Sequence, residues 1–202
     1  MRKKYRVPAF NVLCIQPVWR SFFPMAACLF FACNQPPKQQ PTPEWVRSIQ
    51  SSPEYKPGEV NSRVFYVDLS RPSGDFRFFV VNMEDATISG MGLCCNGKID
   101  TNGQVIFSNV PGSGCSSRGV YRIGASYVGS WGRAYRLHGL SATNSNAYAR
   151  NIVLHAYKGI PRLPTGKPIC RSEGCPTVNP EFLNELSSIV DGSPKPTLLL
   201  IN

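Results

Sequence analysis

From Arg63 onward, short apolar runs alternate with turn-forming residues. "RVFYVDL" (63–69) and "FRFFVVN" (76–82) are rich in β-branched and aromatic residues, and "RPSGD" between them supplies Pro, Ser and Gly. Two such runs across a turn segment predict a β-hairpin. Further strands are predicted at "QVIFS" (104–108), "GVYRI" (119–123), "AYRLHG" (134–139), "NIVLHA" (151–156) and "TLLLIN" (197–202). "NGKIDTNG" (96–103) and "NVPGSGCSSRG" (109–119) carry turn chemistry instead. Strands at this spacing predict a mainly β fold, a sandwich or barrel.

One helix stands out near the C-terminus. Asn179 can cap it, Pro180 sits where its missing N–H costs nothing, and Phe182, Leu183, Leu186, Ile189 and Val190 share one face before Gly192. That face is expected to pack on the sheet. Residues 34–60 carry little periodicity and predict a tether and an approach segment, with a short helix near Trp45.

The first residues read differently. "MRKKYR" is positively charged, and "SFFPMAACLFFAC" (21–33) is apolar except for Ser21 and Pro24, the pattern of a secretory leader. A membrane span is disfavoured because Asn11, Gln16, Pro17, Arg20 and Pro24 break the run, whereas a span needs about 18 apolar residues. "FFAC" followed by the Pro- and Gln-rich "NQPPKQQPTPE" resembles a bacterial lipoprotein signal, which implies lipidation of Cys33; Phe30 and Phe31 depart from its usual residues. The alternative is an ordinary secreted protein. The expected organisation is a leader over 1–32, a lipidated tether and approach segment over 33–60, and one catalytic-size domain over 61–202.

Of the 202 residues, 22 are Lys or Arg and 12 are Asp or Glu, a formal +10. Removing the five basic residues of 1–32, which has no acidic ones, leaves +5. The remaining basic residues are scattered, which argues against nucleic acid as a partner and is compatible with an anionic envelope polymer.

Removal of the leader takes Cys14 and Cys28, and lipidation takes Cys33, leaving Cys94, Cys95, Cys115, Cys170 and Cys175. Five is odd, so at least one thiol stays unpaired. The two histidines and the Cys170/Cys175 gap do not match the paired short spacings of a zinc site, so no metal is expected. A Cys170–Cys175 disulfide would demand a tight loop. Nucleophilic catalysis remains: a thiol with a pKa near about 8.5 needs an imidazole beside it. His155 ends the run "NIVLH", and the chain returns at Cys175. Gly174 clears space for a substrate and permits a turn whose N–H groups can face an oxyanion. A strand-end histidine with a purely structural role stays open on spacing alone.

"RSEGCP" (171–176) after the histidine strand "IVLHA" resembles the murein L,D-transpeptidase catalytic domains, in the branch with an Arg-Ser-x-Gly-Cys-Pro nucleophile motif. "DLSRPSGDFRFFVVN" (68–82) and "FSNVPGSGCSSRGVYRIGASYVGSWGRAYRLHGL" (107–140) resemble upstream blocks of the same branch in the same order. The resemblance implies a mostly β cysteine acyltransferase acting on peptidoglycan stem peptides in the cell envelope, with Cys175 as nucleophile and His155 as general base. It implies no cofactor, and a monomer is expected. Three positions depart from the wider family: Glu173 stands where a second histidine is common, Ala156 where glycine follows the base, and "PTV" follows the cysteine. Arg171 is a candidate for a substrate carboxylate or a salt bridge to Glu173, Ser172 for shaping the turn or binding substrate, and Tyr157 and Trp131 for lining the cleft or the core. His138 is assigned to a neighbouring strand. Cys94 and Cys95 cannot readily bridge each other, and either has Cys115 or Cys170 as a prospective partner. The rivals are L,D-carboxypeptidase action on the same acyl-enzyme, a cysteine hydrolase for other peptides, and a lipid-anchored peptidoglycan-binding module without turnover.

Overall fold

The computed structural model describes residues 43–202. The expected leader over 1–32 and Cys33 lie outside the described residues. The described chain runs through helix α1 (Pro43–Gln50), strands β1 (Arg63–Val67), β2 (Phe78–Asn82), β3 (Thr87–Gly92), β4 (Gly119–Gly129) and β5 (Gly132–Gly139), and a single 3-10 turn at Ala142–Asn144. It continues through β6 (Val153–Ala156), β7 (Thr177–Val178), helix α2 (Pro180–Asp191) and β8 (Leu198–Ile201).

All eight strands belong to one mixed sheet in the order β3-β2-β1-β8-β4-β5-β6-β7. β1 and β2 pair antiparallel, as the sequence predicts, while β1 with β8 and β6 with β7 run parallel. The sheet curls: just past β3, the Cys95 N–H donates to the Thr177 carbonyl at 2.8 Å, so the continuation of one edge strand meets the other. Phe65, Val67, Phe78, Tyr121, Leu137, Leu154 and Leu199 fill the inner core together with Phe182, Leu183 and Leu186 of α2.

Alternate residues of β1 serve the opposite face. Val64 and Tyr66 pack with Phe79, Val81 and Leu198, and Val46 and Ile49 of α1 cover them. Strands buried on both faces read as continuous apolar runs, which is why "RVFYV" and "FFVV" lack a polar alternation. The segment before residue 61 thus contributes Val46, Ile49 and Val60 to the packed body.

α2 begins as its sequence predicts: the Asn179 side chain accepts from Glu181 N–H at 2.9 Å, with Pro180 in the first turn. The Phe182 ring stands edge-on to Phe78 at 5.4 Å and lies against Gly92, where a Cβ would come within 2.3 Å of it. That close approach explains a strand the sequence hides. The sequence pattern predicts no strand over "TISGMG" (87–92), whose Gly92 is the seat for an aromatic ring.

Two differences from expectation are local. "QVIFS" forms no regular strand; it makes single bridges to two different segments, Val105 to Ile99 and Phe107 to Ser116. Its alternation is real, since Val105 and Phe107 pack on the core and Ile106 is exposed, but periodicity reports burial and not ladder length. β7 has two residues, too short to leave a pattern.

A buried cation organises the ground beneath β7. Arg77, only 1% exposed, donates from Nε to the Cys94 carbonyl at 2.7 Å, from Nη2 to that carbonyl and to Asn96 Oδ1, and from Nη1 to the Arg71 carbonyl at 3.2 Å. Arg77→Met would keep the bulk and strand these acceptors without donors. The expected result is a loss of about 2–4 kcal/mol of unfolding free energy in urea titration; an unchanged midpoint would show that the carbonyls find other partners.

Candidate active site

Parallel strands cannot be joined by a tight turn, because the chain must travel back to the end at which the first strand began. β6 and β7 are parallel with His155 opposite Thr177, so residues 157–176 form that return path. Side chains two apart on an extended chain share a face. Val153 and His155 therefore face the same way as Cys175 and Thr177, and the four meet at one end of the sheet. Val153 N–H points at Cys175 Sγ at 3.4 Å, and His155 Nε2 lies 3.0 Å from Thr177 Oγ1.

These residues line an open cleft of about 700 Å³, with Trp131, Tyr157, Cys95, Cys170, Arg171, Ser172 and Glu173 also on its walls. Trp131, at the tip between β4 and β5, is 64% exposed. Its ring centroid is 6.0 Å from that of His155 and 5.9 Å from that of Tyr157, which it meets edge-on, making one aromatic wall.

The turn before the nucleophile candidate is held by its own serine. Ser172 Oγ donates to the Cys175 carbonyl at 2.7 Å and accepts from Gly174 N–H at 3.2 Å, while Ser172 N–H donates to the Asn96 carbonyl at 2.7 Å. Gly174 has φ +109°, and a Cβ there would lie 2.4 Å from the Cys115 carbonyl oxygen. The glycine is thus required by backbone conformation and by space.

The imidazole's tautomer follows from its partners. Nδ1 lies 3.1 Å from the Ala156 carbonyl, an atom that only accepts, so Nδ1 carries the proton and Nε2 presents its lone pair. Among the described residues no hydrogen bond joins His155 to Cys175. Thr177 is the direct cross-strand neighbour of His155, and Cys175 is one pleat repeat further, about 6.6 Å along a strand.

Burial sets the charge states. It lowers the His155 pKa below 6.5, partly offset by the Ala156 carbonyl. It raises the Cys175 thiol above 9.0, with Glu173 adding to the rise and Val153 N–H and Arg150 opposing it. At neutral pH both groups are therefore uncharged.

Arg171 is exposed on the cleft wall, and among the described residues it makes no ion pair with Glu173. His138 lies on β5, stacked on Tyr148 with centroids 5.1 Å apart, and is not part of the cleft. Cys170 Sγ faces Cys95 Sγ rather than Cys175. Among the described residues no three His, Cys, Asp or Glu side chains converge as a metal site requires. Two contributors escape the sequence reading. Thr177 was detectable as the residue two beyond Cys175 on the same face. Arg150 looks like a surface cation, yet its guanidinium donates to the Ser108 and Cys115 carbonyls at 2.7 and 2.6 Å and pins the 108–117 loop beside the turn.

The family model described as the L,D-transpeptidase catalytic domain matches residues 43–195. Among solved structures, the helical cell shape determining protein Pgp2 of Campylobacter jejuni aligns over 79% of this chain and 54% of its own, at 10% identity and a TM-score of 0.45. An L,D-transpeptidase from Mycobacterium smegmatis aligns over 70% of this chain and 59% of its own, with 12% identity and a TM-score of 0.39. For L,D-transpeptidase 1 of Mycobacterium tuberculosis the shares are 70% and 62%, with 11% identity and a TM-score of 0.37. The chain spans less than two thirds of the length of each. No curated protein matches it.

A neutral, half-buried thiol makes a definite kinetic prediction. Since burial pushes the Cys175 thiol above its ordinary range, the neutral form predominates at pH 7. Iodoacetamide labelling of Cys175, followed by peptide mass spectrometry, should keep accelerating as pH rises through 9. A rate already level below pH 8 would reveal a preformed thiolate–imidazolium pair.

Proposed function

Because the chain belongs to the family of L,D-transpeptidase catalytic domains, we propose that it is an exported, peptidoglycan-modifying transpeptidase that works through an acyl-enzyme on Cys175. The observation that carries this reading is the shared cleft lined by both Cys175 and His155, with the imidazole oriented by the Ala156 carbonyl.

In the proposed reaction the substrate enters along the wall of Trp131 and Tyr157. Cys175 Sγ attacks the carbonyl on the L-centre side of the bond between a stem peptide's diamino acid and D-alanine. The thiol starts neutral, so its proton must leave as the S–C bond forms, and Nε2 of His155 is the base that takes it. This transfer requires the ring to exchange its contact with Thr177 Oγ1 for one with the reacting groups. Gly174 N–H is committed to Ser172 Oγ, so the amide of this turn that stabilises the oxyanion is that of Cys175, which has no acceptor among the described residues. Gly174 acts by making the turn possible, and Ser172 by holding it. His155 then protonates the departing D-alanine amine. An amine of a second stem peptide attacks the thioester to give a cross-link, or water attacks to give carboxypeptidase action. Arg171 on the cleft wall supplies a cation for a substrate carboxylate.

The test incubates the full-length protein with a tetrapeptide-stem muropeptide and follows products by mass spectrometry. Wild type should release D-alanine with dimer formation, Cys175→Ala should do neither, and His155→Ala should slow turnover by about 10²–10⁴-fold. Release without dimers would select the hydrolytic reaction. Binding without turnover, unchanged by Cys175→Ala, would sink the enzyme reading in favour of a binding module.

Export and anchoring complete the proposal: the leader over 1–32 directs secretion and a lipid on Cys33 tethers the domain at the envelope. Metabolic labelling with an alkyne fatty acid should tag the wild type and leave Cys33→Ala unlabelled. Equal labelling of the two would exclude Cys33 as the anchor.

A further inference from the structure

Cys95 and Cys170 stand 75 residues apart in sequence, yet their sulfur atoms meet at 2.9 Å in the wall of the cleft. The other described thiols are directed elsewhere: Cys94 Sγ to the Cys95 carbonyl, Cys115 Sγ to the Ser113 carbonyl, and Cys175 Sγ to Val153 N–H. The backbone around the pair is already joined by hydrogen bonds on both sides. Cys95 N–H donates to the Thr177 carbonyl at 2.8 Å, and the Asn96 carbonyl accepts from Ser172 N–H at 2.7 Å. A covalent bond between the two sulfurs would therefore span segments that are held together without it, and an S–S length of about 2.05 Å is within reach of small side-chain rotations.

We propose that Cys95 and Cys170 form a disulfide that braces the root of the turn carrying Cys175. It goes beyond the transpeptidase reading and does not depend on it. The odd count of five cysteines then resolves into this bond and three thiols, with Cys175 left reduced.

The oxidant is a disulfide of small-molecule or protein origin, RS–SR. Cys170 is the half-exposed member and meets it first. Its thiolate attacks one sulfur of RS–SR, forming a mixed disulfide and releasing RS⁻. Cys95 then gives its proton to solvent and attacks Cys170 Sγ, expelling the second RS⁻. Two cysteine thiols are oxidised and one external disulfide is reduced to two thiols. Burial raises the Cys95 pKa, so the second displacement is the slower one. Hydrogen bonds from Arg77 to the Cys94 carbonyl and to the Asn96 side-chain Oδ1 engage the residues on both sides of Cys95 while the bond forms.

The test equilibrates full-length protein in buffers of rising oxidised-to-reduced glutathione ratio, quenches in acid, alkylates remaining thiols and maps peptides without reduction. The expected product links the Cys95 and Cys170 peptides, with fragmentation placing the bond on Cys95 rather than Cys94, while Cys175 stays alkylated. Closing a loop of this length should raise the Tm of the oxidised form by roughly 5–10 °C over the reduced form, and Cys170→Ser should show no such redox-dependent shift. The proposal is overturned if both residues remain alkylated at every ratio, or if the oxidised species links Cys94 or Cys175 instead. Neither peptide map nor Tm reads turnover, so either outcome is separable from that of the muropeptide assay.

Discussion

The guanidinium of Arg77 is the constraint on which the site rests. Among the described residues no carboxylate is in direct contact with it, and it directs its donors to backbone and amide oxygens of Arg71, Cys94 and Asn96. Those bonds fix the segment just beyond β3, and that segment does two things. Cys95 N–H joins it to β7, closing the curled sheet, and the Asn96 carbonyl takes Ser172 N–H, anchoring the turn that ends in Cys175. A buried cation is costly to desolvate, so its presence here makes physical sense only if the oxygens it satisfies would be costly to bury alone. The path from β2 to Cys175 Sγ thus runs through hydrogen bonds that can each be named.

The second constraint is strand direction. Had β7 run antiparallel to β6, a short hairpin would have joined them and no long return loop would exist. The parallel pairing puts His155 beside Thr177 and Cys175 beside Val153. It gives a cleft in which His155 and Cys175 share a face with no hydrogen bond between them among the described residues, and burial keeps both neutral. In such a cleft neither a free thiolate nor an imidazolium stands exposed to solvent. The aromatic wall of Trp131 and Tyr157 belongs to the same logic: an exposed indole beside an imidazole is apolar surface waiting to be covered.

Individual residues show how far the chain could be read without coordinates. The β1–β2 hairpin, β5, β6, β8 and α2 were legible because each combines a local pattern with clear punctuation, as in Asn179-Pro180 before the apolar face of α2. β3 was not, because its glycines matter only through Phe182, a residue some ninety positions later. Arg77 looked like one more basic residue in a strand, and Trp131 was a candidate for either the cleft or the core. Their opposite fates, one buried among carbonyls and the other exposed over His155, depend on neighbours distant in sequence.

By itself the sequence determined the mainly β character and the C-terminal helix, because these rest on residue type, short-range period and turn chemistry; the link between "IVLHA" and "RSEGCP" came from the family resemblance, since spacing alone left a structural histidine open. Only the tertiary structure decided that Nε2 of His155 faces Thr177, that the Gly174 amide serves Ser172, that Arg171 is free of Glu173, and that Cys170 meets Cys95. Each of these is a choice among several partners of similar chemistry. Such choices are made by strand register and loop closure over tens of residues, which no local pattern encodes.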